Sequence, residues 1–92
     1  MRVQLTRAFE RQWRPFEKNA QESIAKVIRL LPTVVEDPHA HLGAGLRKLH
    51  PSGIWEARVG LNLCFVFAVD GDLLTLDRIG THDEIRRSLK AL

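Results

Sequence analysis

The sequence lacks the features of a secreted, membrane-bound or disulfide-stabilised protein. Cys64 is the one cysteine in 92 residues, which excludes an internal disulfide and a zinc cage built from cysteines. No apolar run reaches the roughly 18 residues that a membrane-spanning helix needs. The N-terminal residues also lack the apolar segment of a signal peptide. These absences predict a cytoplasmic protein.

Other absences remove whole classes of function. The sequence has no glycine-rich phosphate-binding loop, no internal repeat and no low-complexity segment. No single charge dominates, because 14 basic residues stand against 11 acidic ones, for a net charge of +3. That balance permits an anionic partner without requiring one. The length suits one domain, which we place at residues 1–92.

The N-terminal part of the chain has the pattern of a short strand followed by two helices. Val3 and Leu5 alternate as strand residues do, and Thr6 suits the N-cap of a helix that begins near Arg7. Pro15 either ends this helix or opens the next one. Aromatic residues share one helical face and basic residues share the opposite face. The first set is Phe9, Trp13 and Phe16, and the second is Arg7, Arg11, Arg14 and Lys18.

The second helix is the longest element that the sequence predicts. Its apolar residues follow the helical period and are Phe16, Ala20, Ile24, Val27, Ile28 and Leu31. Pro32 is expected to end this helix near Leu31, because the residue before a proline avoids the helical region. Val34 and Val35 leave room for one further turn.

The middle of the chain has the pattern of antiparallel strands. The predicted strands run from Leu46 to Leu49, Ile54 to Val59, Leu63 to Val69 and Asp72 to Ile79. Asp70-Gly71 suits a two-residue type I′ turn, in which both central residues have positive φ. That turn sets Phe67 opposite Leu74. It also sets Phe65 opposite Leu76, and these side chains are expected to face the helices.

The hairpin before that turn decides which residues share the other face of the sheet. A three-residue loop at residues 60–62 would set Arg58 opposite Cys64. A slip of one residue would turn Arg58 to the opposite face, since successive side chains of a strand alternate between faces. The loop length therefore predicts that Arg58 and Cys64 are neighbours.

The C-terminal part of the chain has the pattern of a short helix. Thr81 and Glu84 have the spacing of a capping box, in which each side chain accepts a hydrogen bond from the other residue's backbone. His82 would then lie in the first turn. The apolar face of this helix is expected to consist of Ile85, Leu89 and Leu92.

Three segments of the sequence resemble a known family. They are Gly53-Ile54-Trp55-Glu56-Ala57-Arg58-Val59-Gly60, Asp70-Gly71-Asp72 and Arg78-Ile79-Gly80-Thr81-His82-Asp83-Glu84. With the order of the elements, they resemble the RelE/ParE superfamily of type II toxin-antitoxin toxins, and the His50-Pro51 step is most similar to the YafQ/RelE mRNA interferase branch. The resemblance implies an α+β fold. In this fold an N-terminal strand and two helices pack on an antiparallel sheet, with a short C-terminal helix.

The resemblance also implies a function. Proteins of this kind are ribosome-dependent endoribonucleases that cleave mRNA in the decoding site and so inhibit translation. Cleavage is expected to proceed without a metal or another cofactor, through attack by the 2′-hydroxyl. A cognate antitoxin would neutralise the toxin by covering its surface, which implies a hetero-oligomer of the two proteins.

Metal-free RNA cleavage needs a base, an acid and a cation at the phosphate. His50 and His82 are the candidate acid and base, because imidazole exchanges protons near neutral pH. Arg58 is the candidate phosphate ligand, because its planar guanidinium matches two phosphate oxygens. Further basic residues are expected to bind the substrate, and Lys48 among them would add positive charge beside Arg58. They are Lys48, Arg78, Arg11 and Arg14.

A metal site is not expected. His39, His41 and His50 offer three nitrogen ligands, but the segment between them is rich in glycine. No acidic residue or cysteine has the spacing that zinc sites use in sequence.

Cys64 departs from the family pattern, because many members have an arginine at the matching position. A missing cation at a phosphate site predicts a weakened enzyme, and it predicts that Cys64→Arg raises the activity. It also keeps an alternative open, in which the chain is a gyrase-directed ParE-like toxin or a degenerate module that only binds an antitoxin.

Overall fold

The computed structural model describes residues 1–37 and 45–90. The elements in chain order are β1 (Arg2–Leu5), α1 (Arg7–Trp13), α2 (Lys18–Glu36), β2 (Leu46–His50), β3 (Ile54–Val59), β4 (Leu63–Asp70), β5 (Leu73–Thr81) and α3 (His82–Lys90). The strands form one sheet in the order β1-β5-β4-β3-β2. Only β1 runs parallel to its neighbour, and the other pairs are antiparallel. The fold is α+β, as the sequence predicts. None of the helices in the described residues has the length and apolarity to cross a bilayer.

Thr6 joins the first helix to the sheet. Its hydroxyl accepts a hydrogen bond from the Phe9 N–H at 3.1 Å, which confirms the predicted N-cap. Its own backbone N–H donates to the Leu76 carbonyl at 3.0 Å. Phe9 is thereby held against Phe65, edge to face, with 6.1 Å between the ring centroids.

The second helix does not end at Leu31. It continues through Pro32 to Glu36, so the predicted boundary is wrong. A proline inside a helix costs about 3 kcal/mol. Continuing the helix buries Val34 and partly buries Val35 against the core, and full burial of one such side chain contributes about 1.5 to 3 kcal/mol. These gains offset the hydrogen bond that Pro32 cannot donate.

The sheet is covered by helices on both faces. On one face, α1 and α2 pack over fully buried residues, among them the predicted set Phe65, Phe67, Leu74 and Leu76. On the other face, α3 packs through Ile85 and Leu89 over Cys64 and Val66. The second face, the one under α3, carries the candidate site described below.

The two predicted hairpin registers have different outcomes. Residues 60–62 form the three-residue loop, and Arg58 pairs with Cys64 as predicted. The β4–β5 turn lies one residue later than predicted, because Asp70 pairs with Leu73 and belongs to the strand. Among the described residues only glycines have positive φ, and Gly71 has φ +59°. The type I′ prediction required positive φ at Asp70 as well, which is costly for a residue with a Cβ atom.

This displacement and a β-bulge change the partners along β5. Phe67 pairs with Leu76 rather than Leu74, and Phe65 pairs with Ile79 rather than Leu76. Displacing the turn by one residue shifts the register by two, so the side chains stay on their predicted faces. The bulge lies at Asp77, which has no partner between the Val66–Arg78 and Phe67–Leu76 pairs.

Gly53 lies where the β2–β3 connection passes against β4. Its φ is +103°, and a Cβ atom built there would lie 2.5 Å from the Val69 carbonyl oxygen. We therefore expect Gly53→Ala to lower the free energy of unfolding by about 3 kcal/mol, from backbone strain and overlap together. Gly71→Ala is the matched control, since Gly71 has φ +59° but open space around it. It should cost about 1 kcal/mol. Urea unfolding measures both, and equal losses would contradict the predicted overlap.

A capping box begins α3, as predicted. The Thr81 N–H donates to Glu84 Oε1 at 3.0 Å, and the Glu84 N–H donates to Thr81 Oγ1 at 3.2 Å. Ile85 and Leu89 lie on the buried face as predicted, while Leu92 lies outside the described residues. The box places His82 in the first turn of the helix.

The capping box also makes stability depend on pH. The hydrogen bonds from the Thr81 backbone and hydroxyl lower the pKa of Glu84 below its ordinary value of 4.5. The folded state therefore favours the carboxylate, and this contribution is lost as pH falls through the folded-state pKa. As the pH falls below about 4, the free energy of unfolding should decrease less for Glu84→Gln than for the wild type. The difference should be only about 0.3 to 0.5 kcal/mol, because the Glu84 carboxylate is exposed. Urea unfolding from about pH 3 to 7 tests this, and parallel curves for the two proteins would contradict it.

Candidate functional site

Three side chains from distant parts of the sequence meet on the face of the sheet under α3. Glu56 and Arg58 share this face with Cys64, because they alternate with Ala57, which faces the core. The capping box starts α3 so that His82 lies beside Cys64. A carboxylate oxygen of Glu56, the Cys64 sulfur and a ring nitrogen of His82 all lie within 4.8 Å of one another. We call these residues the Glu56/Cys64/His82 cluster.

Gly80 allows α3 to come this close to the sheet. It pairs with Cys64 across β4 and β5. A Cβ atom at Gly80 would lie 3.2 Å from Glu84 Oε1 and 3.3 Å from Glu84 Cβ. The first turn of α3 therefore rests directly on the Gly80 backbone, and a larger residue would push His82 away from the cluster.

Three arginines surround the cluster. Arg58 is exposed and pairs with Cys64 across the two strands. Arg47 lies opposite Glu56 on β2, with 4.0 Å between Arg47 Nη2 and Glu56 Oε2. Arg86 follows His82 by one helical turn, so both lie on the same side of α3. The surroundings of the cluster are therefore cationic, which suits a phosphate group.

Cys64 itself is not a nucleophile. The residue is fully buried, and burial raises the pKa of its thiol to about 11. The charge of Glu56 raises this pKa further, and the three arginines lower it by less than burial and Glu56 together raise it. The thiol is therefore protonated at neutral pH, whereas attack requires a thiolate.

Burial also bears on the predicted gain from Cys64→Arg. Val66 and Ile85 pack against Cys64, and an arginine at this position needs the room that they occupy. The structure therefore does not support that gain. Nor does it support a loss of cationic charge at the site, because Arg47 and Arg86 lie near enough to act on the pKa of Cys64.

His50 and Lys48 do not join Arg58 and His82. His50 pairs with Ile54, four residues before Arg58, which places it about 13 Å away along the strand. Its Nδ1 lies 2.7 Å from the Ser52 hydroxyl and accepts the Ser52 N–H at 3.1 Å. Lys48 lies on the face that α1 and α2 cover, with its Nζ 5.5 Å from the centre of the Trp55 ring. The structure therefore does not bring these four predicted site residues together on one surface.

The remaining predicted substrate ligands lie at increasing distances from the cluster. Arg78 is on the same face but pairs with Val66, about 7 Å along the strand from Cys64, and its Nε donates to Asp77 Oδ2 at 2.7 Å. Arg11 on α1 and Arg14 at its C-cap are exposed, and α1 packs through Phe9 into the core on the other face of the sheet. Arg14 also pairs with Glu10 at 2.8 Å. His39 and His41 lie outside the described residues.

Sequence reasoning missed three residues of the site, namely Glu56, Arg47 and Arg86. Each had a local signal. Glu56 stands two residues before Arg58 and so shares its face, and Arg86 stands four residues after His82. Arg47 required the β2–β3 register, which Gly53 and its turn define.

The fold resembles those of solved toxin structures. A chain of the RelB–RelE antitoxin-toxin complex from Methanococcus jannaschii superposes with a TM-score of 0.70 and 17% identity, over 94% of this chain and 98% of that one. A YafQ mutant from E. coli gives 0.69 and 17%, over 92% and 98%. The YoeB/ParE toxin from Agrobacterium tumefaciens gives 0.67 and 23%, over 89% and 99%. The chain therefore has the RelE-like toxin fold. No protein-family model and no curated protein matches its sequence.

Proposed function

We propose that this protein is the toxin of a type II toxin-antitoxin pair and a ribosome-dependent mRNA endoribonuclease, which inhibits translation in the cytoplasm. One observation carries the enzymatic part, namely that Glu56 and His82 lie within 4.8 Å of each other, with Arg58 on the same face. The RelE-like fold supports the toxin part. RNA cleavage needs a proton acceptor, a proton donor and a phosphate ligand, and these three side chains supply them.

The proposed reaction is a transfer of the phosphodiester to the neighbouring 2′-oxygen. The Glu56 carboxylate takes the proton from the 2′-hydroxyl, and the 2′-oxygen attacks phosphorus. The bond to the 5′-oxygen breaks, and the His82 imidazolium gives that oxygen a proton. The products are a 2′,3′-cyclic phosphate and a 5′-hydroxyl end. Arg58 binds the phosphoryl oxygens, where negative charge builds up in the transition state.

Glu56 takes the role that the sequence assigned to His50, because His50 is about 13 Å from Arg58 along the strand. His50 and Lys48 remain proposed contacts to the mRNA beyond the cleaved bond. Arg47 and Arg86 are proposed phosphate ligands beside Arg58, and Arg78 joins them if it leaves Asp77. Arg11 and Arg14 are proposed to contact ribosomal RNA or an acidic antitoxin segment.

An antitoxin is the proposed protein partner. Large apolar side chains of β1 and α2 are exposed, at 43% for Val3, 53% for Leu5 and 59% for Leu30. Isolated exposed apolar residues are common, but β1 is also an edge strand with one side unpaired by the sheet. We expect an acidic, helix-forming antitoxin to cover part of this surface. Co-expression with any small acidic protein encoded beside this one, followed by size exclusion, tests it, and two separate peaks would count against it.

Primer extension on an mRNA held in programmed 70S ribosomes tests the enzymatic proposal. The wild-type protein should cleave the message in the decoding site, and chelator should not reduce the rate. Cleavage of free RNA at an equal rate would contradict dependence on the ribosome. Complete inactivity would contradict the ribonuclease and favour the gyrase-directed or antitoxin-binding alternative, which needs neither Glu56 nor His82.

A further inference from the structure

The Glu56/Cys64/His82 cluster contains a thiol that the proposed reaction does not use. Cys64 takes no proton and binds no phosphate in that scheme, yet its sulfur lies within 4.8 Å of both groups that do the chemistry. We propose that the cluster is a binding site for a thiophilic divalent metal ion, of which Zn²⁺ is the representative. Each ligand comes from a different element, β3, β4 and α3, so the folded sheet and the docked helix are both needed to form the site.

The donor set selects the class of metal. Sulfur, imidazole nitrogen and one carboxylate oxygen suit Zn²⁺, Co²⁺ or copper, whereas Mg²⁺ and Ca²⁺ prefer sites made of oxygen. Three protein ligands leave one position of a tetrahedral ion open to solvent. Sequence reasoning expected no metal because it searched for closely spaced ligands. Here the ligands are at positions 56, 64 and 82 and meet only through the sheet register.

The distances are compatible with coordination after small side-chain movements. Ligand bonds of about 2.0 to 2.3 Å place the donor atoms of a tetrahedral ion about 3.3 to 3.7 Å apart. The donor atoms of the cluster lie within 4.8 Å, so they must approach by about 1 Å. Glu56 and His82 are only partly buried, and their side-chain torsions can supply this movement while Cys64 stays fixed in the core.

The charges near the cluster permit a dication. Coordination replaces the thiol proton, so the thiolate and the Glu56 carboxylate together balance the ion. Arg47 lies 4.0 Å from Glu56, and its side chain is 72% exposed. It can therefore turn into solvent when an ion takes the carboxylate. Arg58 is exposed as well and can do the same.

A bound ion would stop the proposed reaction, and this consequence rests on the proposed function. The ion would hold Glu56 and His82 as ligands, which removes the base and the acid together. Cys64 would then be a ligand of an inhibitory metal site. Its thiol would regulate the enzyme without taking part in RNA cleavage.

Titration of the metal-free protein with Co²⁺ tests the site without reference to cleavage. We expect one Co²⁺ per chain, a sulfur-to-metal charge-transfer band in the near ultraviolet, and displacement by Zn²⁺. Cys64→Ala should abolish the band. Glu56→Gln, which changes a partly exposed residue, should weaken binding at least about tenfold. Absence of the band in the wild type, or its persistence in Cys64→Ala, would overturn the proposal.

His50→Gln is the matched control, because His50 is exposed and lies on β2 away from the cluster. It should bind Co²⁺ as the wild type does. Loss of binding in this variant would assign the ion to the histidines around residues 39–50 and would overturn the proposed ligand set. Circular dichroism of each variant shows whether it is folded, and Cys64→Ser replaces Cys64→Ala if the latter is not.

Cleavage assays with and without Zn²⁺ test the inhibitory role separately. Wild-type cleavage should fall at least about tenfold when the site is filled, and Cys64→Ala should cleave equally with and without the ion. If the wild-type protein binds Co²⁺ but never cleaves mRNA, the metal site is supported and the proposed ribonuclease activity is refuted. Wild-type protein that cleaves and is not inhibited when loaded would refute the inhibitory role.

Discussion

Substitution of His82 by glutamine is expected to lower the rate of mRNA cleavage in programmed ribosomes by at least about a hundred-fold, because an amide cannot donate a proton to the leaving 5′-oxygen. Glutamine keeps a polar side chain in the first turn of α3, and it leaves the Thr81 and Glu84 capping box intact. The fold should therefore survive. Single-turnover primer extension on saturated ribosomes gives the rate, and circular dichroism confirms that the variant is folded.

The control for His82 is the other candidate histidine. His50→Gln should cleave within about threefold of the wild type, because proton transfer needs direct contact with the reacting oxygen and His50 lies too far from Arg58. A large loss in His50→Gln with little loss in His82→Gln would reverse the assignment. It would also mean that the mRNA is cleaved at the Ser52 end of the sheet, away from the Glu56/Cys64/His82 cluster.

Arg58 should be the second most sensitive position. We expect Arg58→Ala to reduce single-turnover cleavage about a hundred-fold, because it removes the cation that stabilises the charged transition state. Arg58→Lys should recover only part of this loss, since lysine keeps the charge but cannot bind two phosphate oxygens through a planar fork. The difference between the two variants separates charge from geometry.

Arg29 supplies the control for a simple change in charge. It is exposed on α2, which packs against the opposite face of the sheet from Arg58. Arg29→Ala should change cleavage less than about twofold at physiological salt, where distant surface charges are screened. If Arg58→Ala and Arg29→Ala reduce cleavage equally, the loss is caused by lower net charge and weaker ribosome association. Arg58 then makes no specific contact with the cleaved phosphate.

The parts of the site that follow from local rules could be predicted. The Thr81 and Glu84 pattern fixed the start of α3, and the loop at residues 60–62 fixed the neighbours Arg58 and Cys64. Both depend on a few residues that are close in sequence. The choice of face for each side chain also survived the displacement of the β4–β5 turn, because a shift of two residues preserves alternation.

Long-range packing decided the rest. Nothing near Pro32 shows that the helix continues, because the compensation comes from the burial of Val34 and from Val35, which packs against a core that includes residues of distant strands. Sequence reasoning named His50 and missed Glu56 for a related reason. Residue chemistry favoured a second histidine, but the position of α3 over the sheet decides which side chain reaches His82. That position depends on Gly80, whose role appears only when the helix is docked.

The docking of α3 on the sheet is a separate step that completes the Glu56/Cys64/His82 cluster. All five strands precede α3 in the chain, and His82 is its first residue. A chain whose sheet has formed before α3 docks therefore has Glu56 and Arg58 in place without His82 beside them. If the proposed reaction is correct, that chain cannot cleave mRNA. Local undocking of α3 would then switch the cleavage activity off while the strands stay paired.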